Sequence, residues 1–586
     1  MSKTFKSALH AALAIACFGI LAFPQAASAH AIVEETQPGI DEIVPESPER
    51  VLIRFNEPVE VAFGAIRVFD TNGDRVDVGS ADHVEGRADE VQVALKPNLP
   101  KGTYTVAWRV VSADGHAITE AFVFHVKERG ARAPQLPPFF DSGRPFESAL
   151  FGLARWLNFS ALIVLAGGGI FAFNVWRKSP IGSDEAEQRF AARWTTIARG
   201  AWIAAAIATV AGFVLQGSVA GGYSLGGALS PTVLGEVAST RYGKVAIAKI
   251  VLLGLLALWW FLIGDRTMRS DTASVGAAGT RRRLPLWAAV SGGAILIALI
   301  STPGLAGHAG TTSPIAVNIA TDTAHVGAAA AWIGGLVLLV FAAFPAVRTV
   351  GDEEPAARLG SVVTRFSDLA VISIVVLVVS GVYRGWVEVG ALRALTAATY
   401  GWVLLAKVAV FIPALVLGVI NNRTLKPRIE AAVAPGATGA LEKLRRLVGA
   451  EVALGAVVLV LTAVLVSLAP ARTEAGVSGP FTTQVALNED KLDIIVTPNK
   501  VGENEVHLTA TTATGSPTVI KQMTVLFRKP DQGIGPIVAD GKKLAAGHYV
   551  VQGNQLSVPG RWEIEVVARI NRFDEERATF VVEVNG

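Results

Sequence analysis

The chain has 586 residues, 51% of them apolar, with a mean hydropathy of +0.45 and a formal net charge of +3. That composition excludes an ordinary soluble protein of this size and requires membrane-spanning segments. The single cysteine, Cys17, lies in a segment expected to be removed, and only Met268 and Met523 follow it. Disulfides, thiolate metal sites and cysteine nucleophiles are thereby excluded from the mature chain, and any metal chemistry must run on histidine, carboxylate and backbone.

At the N-terminus, Lys3 and Lys6 precede an apolar run from Ala8 to Leu21, followed by Ala27-Ser28-Ala29. Basic, then apolar, then small is the order of a secretory signal peptide, here over 1–29. Cleavage after Ala29 makes His30 the first residue of the mature chain. Its free α-amine, with a pKa of roughly 8, and its imidazole Nδ1 can chelate one metal ion. Nitrogen and oxygen ligands in a tetragonal arrangement suit Cu(II) or Ni(II).

From His30 to about Glu128 the pattern is all-β. "RVLIRF" (50–55), "AIRVFD" (65–70), "EVQVAL" (90–95), "GTYTVAWRVV" (102–111) and "AFVFHV" (121–126) alternate and are rich in β-branched residues, with turn signals "TNGD" and "LPKG" between several of them. They predict an exported Greek-key β-sandwich over 30–131. Between His30 and Ala149 there are 20 Asp and Glu against 12 Lys and Arg, an acidic balance that attracts cations and equally makes a solvated surface. A Pro-rich linker occupies 132–149.

Eight apolar segments long enough to span follow, near 150–176, 199–220, 243–264, 284–304, 319–344, 367–389, 401–420 and 447–468, within a domain over 150–470. The loops "WRKSPIGSDEAEQRFAARW", "DRTMRS…TRRRL", "VRTVGDEEPAARLGSVVTRF" and "NRTLKPRIE…EKLRRL" hold most of the Lys and Arg, whereas "GLAGHAGTTSPIAVN" holds none. Basic loops face the cytoplasm, which places both ends of the mature chain outside it, as the signal peptide requires. The tail, 471–586, returns to β patterning ("LDIIVT", "NEVHLTA", "MTVLFR", "WEIEVVARI", "ATFVVEV") and predicts a second exported sandwich. The fold class expected is a multidomain membrane protein: sandwich, eight-helix bundle, sandwich.

Nine histidines are placed unevenly. In "VVSADGHAITEAFVFHV" (110–126), Asp114 and His116 flank a glycine after a strong strand. Alone, Asp-Gly-His reads as an ordinary turn. Beside an N-terminal histidine it offers two imidazoles, an amine and a carboxylate, a four-ligand set for Cu(II). His83 and His125 read as surface or packing residues. In "TDTAHVGAAAAWIGGL" (321–336), His325 lies about two turns into the fifth span, with Asp322 on the same face to orient its ring. His308 precedes that span in "GLAGHAG", and Gly334-Gly335 permits close helix approach. His325 reads equally as a packing histidine bonded to a neighbouring helix. Lys249, Asp368, Arg384, Lys407 and Glu451 read as structural charges that pair or snorkel, and His548 as a surface residue.

The "QPGIDEIVPESPERVLIRFNEPVE" opening, the "SADGH" loop and the exposed His30 resemble CopC, the periplasmic copper-binding sandwich. The resemblance implies Cu(II) ligation by His30, Asp114 and His116. The Met-rich Cu(I) site of some CopC proteins is missing, and Thr119-Glu120 stand where the family often has a small residue. "GLAGHAG", "SGVYRGW" (380–386) and "YGWVLLAKVAVFIPALVLGVINNR" (400–423) resemble CopD, a polytopic protein of copper uptake and resistance, and "AAGHYVVQGNQLSVPGRWEIEVV" (545–567) looks like a YtkA-like domain. Together these imply an inner-membrane copper transporter. Its exported domain captures Cu(II) and passes it to a transmembrane pathway of His308, Asp322 and His325, inward by family analogy. Expected partners are copper ions, the lipid bilayer and periplasmic copper carriers or a reductase, with no nucleic acid.

Neither a phosphate-binding G-x-x-x-x-G-K-[ST] loop nor an Asp-Lys-Thr-Gly motif is present, so movement is expected to be passive or ion-coupled. Two alternatives differ in what they need. A membrane-anchored protein that sequesters periplasmic copper needs His30 but not His325. An oxidative enzyme would share the N-terminal histidine chelate, but the Asp114 carboxylate would stabilise Cu(II) and block an open position. No enzyme is expected.

Overall fold

The structure, a computed structural model, describes residues 33–128 except 41, 56, 64 and 113–116; 145–264 except 180, 182 and 183; 285–347; 355–425 except 391 and 393; 427; 437–471 except 469; and 481–584 except 498, 513–515 and 573. The signal peptide, His30, Asp114, His116 and most of the linker lie outside the described residues. The chain divides into two units, one holding the helices from Pro145 to Arg472, the other the β-rich segments on either side.

The first β-rich segment has nine strands: β1 Val33–Gln37, β2 Ile43–Val44, β3 Arg50–Phe55, β4 Val59–Glu60, β5 Ile66–Phe69, β6 Asp77–Val84, β7 Arg87–Leu95, β8 Gly102–Ser112 and β9 Ala117–Val126. They form one sheet in the order β1-β3-β7-β6 and a second in the order β2-β9-β8-β4, with β5 also on β8. The period of two in "TYTVAWRVV" sends Tyr104, Val106, Trp108 and Val110 inward, against Phe122, Phe124 and Val126 of β9. Phe55 meets Trp108 edge to face at 5.3 Å. The expected "TNGD" turn is present: Asp70 Oδ1 accepts from Asn72 N at 2.8 Å and Asp74 N at 2.9 Å, with Gly73 at φ 83°. His125 is a packing residue, buried on the other face of β9, with Nδ1 2.9 Å from Thr103 Oγ1. His83 Nε2 lies 2.9 Å from the Val59 carbonyl oxygen.

Among the described residues, eight helices are long and apolar enough to cross a membrane: α1 Phe146–Trp176, α2 Asp184–Gly221, α3 Arg241–Ile263, α4 Leu286–Ala306, α5 Ile315–Val347, α6 Leu359–Val389, α7 Thr399–Thr424 and α8 Glu442–Leu465. The expected segments match in number and order. Several begin a turn or more earlier than hydropathy suggests, because polar first turns are helical without being apolar. In α2 that turn carries Asp184, Glu185 and Glu187, whose charges suit a helix N-terminus. Helix α5 is the central one, 72% buried along its apolar window, whereas α7, at 6%, is peripheral. The close approach expected at Gly334 is made to Gly167 of α1: a Cβ on Gly334 would lie 2.9 Å from Gly167 Cα, and one on Gly167 2.8 Å from Gly334 Cα.

The tail carries β10 Phe481–Leu487, β11 Asp490–Thr497, β12 Asn504–Thr511, β13 Gln522–Lys529, β14 Ile534–Asp540, β15 Lys542–Ala545, β16 His548–Gly553, β17 Gly560–Arg569 and β18 Glu575–Val584. A five-stranded sheet, β10-β11-β12-β16-β15, and a four-stranded sheet, β14-β13-β17-β18, enclose one core around Trp562, Tyr549 and Phe527. This is the second β-rich domain the sequence predicts. One expectation is corrected here: His548 is not a surface residue but is 1% exposed. It opens β16 immediately after a turn and is buried on the face of the sheet opposite the domain core, beside β12.

Candidate functional site

Within the helical unit, the polar side chains gather where the end of α4, the start of α5 and the end of α6 meet. Asn318, Asp322 and His325 occupy positions i, i+4 and i+7 of α5 and so share one face. Helix α6 answers with Ser380, Tyr383, Arg384 and Glu388. Because the two helices run antiparallel, the partners descend in reverse order. Tyr383 donates its hydroxyl to Asn318 Oδ1 at 3.0 Å. Arg384 Nε lies 3.8 Å from Asp322 Oδ1, and its Nη2 lies 2.8 Å from Glu388 Oε1. One turn deeper, His325 Nδ1 is 2.9 Å from Ser380 Oγ.

The Ser380 contact orients the ring. Ser380 donates its own hydroxyl proton back to the Val376 carbonyl, as membrane-helix serines do. When that proton is committed to Val376, Ser380 Oγ accepts from His325 Nδ1–H and the Nε2 lone pair is available as a ligand atom. The sequence assigned this orienting role to Asp322. The structure gives it to Ser380, and the Asp322 carboxylate is turned to Arg384 instead.

Two further groups close the site. His308 lies in a short 3-10 turn, His308–Gly310, and is 7% exposed. Its imidazole is one of the groups acting electrostatically on Asp322, together with Arg384, Glu388 and Lys407. Arg241, at the start of α3, donates Nε to the Leu305 carbonyl at 2.8 Å, which holds the end of α4 that leads into this turn. Asn318 Nδ2 donates to the Thr312 carbonyl at 2.7 Å and ties the following loop to the same face. Gly304 makes room for the carboxylate: a Cβ there would sit 2.6 Å from Asp322 Oδ2.

The structure places Asp322 and His325 on one face of α5 and His308 in the turn before it; the sequence reading left out Ser380, Glu388, Asn318 and Gly304, and assigned Arg384 and Lys407 to structure alone. The available signal was the stripe Ser380, Arg384, Glu388 at i, i+4 and i+8 in an otherwise apolar span. Of the other intramembrane charges, Lys249 donates to Asn158 Oδ1 at 3.1 Å, and Glu451 accepts from the Asn421 amide. These are polar pairs between helices, as expected.

Chemically, two carboxylates and two cations are nearly balanced around two imidazoles, a setting that can attract a metal cation without trapping it. Among the described residues, no three His, Cys, Asp or Glu side chains form a ready-made metal cage. The other expected ligands, His30, Asp114 and His116, lie outside the described residues; residues 113–116 connect β8 to β9, whose ends pair at Val111 and Ala117.

Comparison with known proteins covers both parts. Residues 33–127 match the CopC domain, residues 146–316 the copper resistance protein D-like N-terminal domain, and residues 360–465 copper resistance protein D. Over 565 residues the chain is 27% identical to the copper transport protein CutJ of Bacillus subtilis (strain 168), covering 95% of this chain and 96% of that protein. It is 34% identical over 107 residues to copper resistance protein C of Escherichia coli, covering 17% of this chain and 84% of that one. A crystal structure of CopC from Methylosinus trichosporium OB3b shares 30% identity, covering 18% of this chain and 98% of that chain, with a TM-score of 0.16.

Proposed function

The chain belongs to the copper-resistance family that joins a CopC domain to a copper resistance protein D domain, and from that premise we propose that it imports copper across the inner membrane of a bacterium. It is an integral membrane protein that handles copper; the route and direction are our reading. Signal cleavage after residue 29 exposes His30, and the domain over 30–131 captures Cu(II) with His30, Asp114 and His116. The linker, 132–149, joins it to the membrane domain, 150–470, which receives the ion at His308, Asp322 and His325. Eight candidate spans among the described residues support one side of the membrane for residues 145 and 471, and the basic loops, read as cytoplasmic, support the periplasm as that side. Residues 471–586 are assigned to the YtkA-like class on sequence resemblance alone.

The observation that carries the pathway is the Ser380 contact at His325 Nδ1, which leaves Nε2 of an intramembrane histidine as the nitrogen that can meet an ion. An ionisable cluster at that depth is costly unless it serves passage or pairing. A periplasmic carrier supplies the copper, and a reductase partner is required if it enters as Cu(I), because the bundle offers no thiolate or thioether. The second reading, a membrane-anchored periplasmic sequestration protein, needs His30 but not His325.

Total cell copper separates the two. Under copper limitation, His30→Ala and His325→Ala should each lower cell copper relative to intact protein at equal expression. If His325→Ala matches the intact protein while His30→Ala loses only periplasmic copper, the bundle is an anchor and sequestration stands.

A further inference from the structure

The tail's two histidines meet. His507 Nδ1 and His548 Nε2 are 3.2 Å apart, although 41 residues separate them in the chain. Their rings are within 18° of coplanar, with centroids 5.5 Å apart. That separation is close to the N···N distance plus one ring radius at each end, so the two nitrogens face each other head-on rather than stacking face to face. Behind His507, on its other nitrogen, Glu505 Oε2 lies 3.2 Å from Nε2. All three side chains are buried: His548 is 1% exposed, His507 3% and Glu505 5%.

The sheet explains how they come together. Strand β12 sends Val506, Leu508 and Ala510 into the domain core, so the period of two puts Glu505, His507 and Thr509 on the opposite face. Strand β16 pairs with β12 through Leu508–Tyr549 and Thr509–His548, which brings His548 diagonally across from His507. His548 is held firmly, since it follows Gly547, at φ 71°, where a Cβ would lie 2.5 Å from the Ala510 carbonyl oxygen. A carboxylate and two imidazoles buried on a sheet face cost more than the apolar residues that could fill the same space. The line carboxylate–imidazole–nitrogen is also how metal-ligating histidines are oriented: the carboxylate takes the far N–H and leaves the near nitrogen as a basic ligand.

We propose that His507 and His548 form a two-coordinate Cu(I) site in the C-terminal domain, with Glu505 as the group that positions His507. Two opposed imidazole nitrogens satisfy Cu(I), a closed-shell ion that accepts linear coordination by two ligands. Zn(II) demands four ligands in tetrahedral array, and Cu(II) a tetragonal set. With metal–imidazole bonds of about 2 Å, the ion is admitted when the rings part by a fraction of an ångström along the line on which they already point. The choice of copper rests on the copper-handling reading. The two-nitrogen geometry stands apart from it and from the pathway in the membrane domain.

The test is anaerobic titration of the full-length protein in detergent with Cu(I), competed by a bicinchoninate chelator. A His30→Ala background removes the N-terminal chelate. His507→Ala and His548→Ala should each bind one Cu(I) fewer per chain than this background. Glu505→Gln keeps the same number but binds it about 10- to 100-fold more weakly. X-ray absorption of the unaltered chain loaded with substoichiometric Cu(I) should show two-coordinate nitrogen ligation, which does not depend on any variant folding. Unchanged stoichiometry and affinity in both histidine variants overturns the site, as does binding of Zn(II) without Cu(I). Copper uptake that fails in His325→Ala but persists in His507→Ala leaves both readings standing. Loss of Cu(I) binding in a chain that never transports copper removes the transport reading and keeps this one.

Discussion

Arg384→Met should lower the unfolding stability of the purified protein by about 3–5 kcal/mol, the cost of removing one partner of a buried ion pair. The arginine bridges two carboxylates: Glu388, whose side chain is 3% exposed, and Asp322, at 19%. Without the guanidinium, Glu388 loses its 2.8 Å partner in a poorly solvated position. Asp322 is affected less, since Lys407 also acts on it. The double variant Arg384→Met/Glu388→Met removes both members of the closer pair, and should recover most of the loss, because two apolar side chains of similar volume are tolerated where one buried charge is not. Thermal unfolding in detergent of the two single variants and the double variant completes the cycle. If the double variant is as unstable as the two singles added together, Arg384 and Glu388 are not coupled and their pairing within α6 is not the source of the loss.

Gly167→Leu is expected to be at least as damaging, for a different reason. A side chain at Gly167 runs into the Ala330 carbonyl and the Gly334 backbone, neither of which can rotate away. The helices α1 and α5 must separate, at or above the upper end of the roughly 1–3 kcal/mol typical of overpacking. Since α5 carries Asp322 and His325, copper uptake falls along with stability. Gly200→Ala is the control: nothing lies within 4 Å of a Cβ at Gly200 in α2. There the change should be neutral or stabilising by up to about 1 kcal/mol, because alanine costs a helix less than glycine. The two glycine variants, compared by melting temperature, separate a helix crossing from simple helix propensity.

Much of the architecture was legible because it rests on local periodicity. Apolar runs long enough to span and alternating strands are properties of neighbouring residues, and each marked its element. The site was only half legible. His308, Asp322 and His325 are visible as polar interruptions of apolar sequence, but their partners are not, since pairing depends on how α6 rotates against α5. Asp322 sits three residues from His325 and on the same face, so its assignment as the orienting group was reasonable. The structure gives that role to Ser380, 55 residues away, because an antiparallel neighbour presents its hydroxyl to Nδ1 while Arg384 draws the carboxylate aside. The same limit hid His548. Its position just after a glycine turn suggests a surface residue, yet the register of β16 on β12 sets it against His507 on the buried face opposite the core.

Reconstituted uptake tests the central claim most directly. The purified chain is placed in liposomes, copper is added outside together with a reductant, and trapped metal is counted for the intact protein, His325→Ala and Ser380→Ala. The intact protein should accumulate copper. His325→Ala should abolish accumulation, and Ser380→Ala, which releases the ring's tautomer but keeps the ligand, should slow it. Intact liposomes that bind copper on their surface and trap none, or a His325→Ala chain that transports at the intact rate, would contradict the pathway.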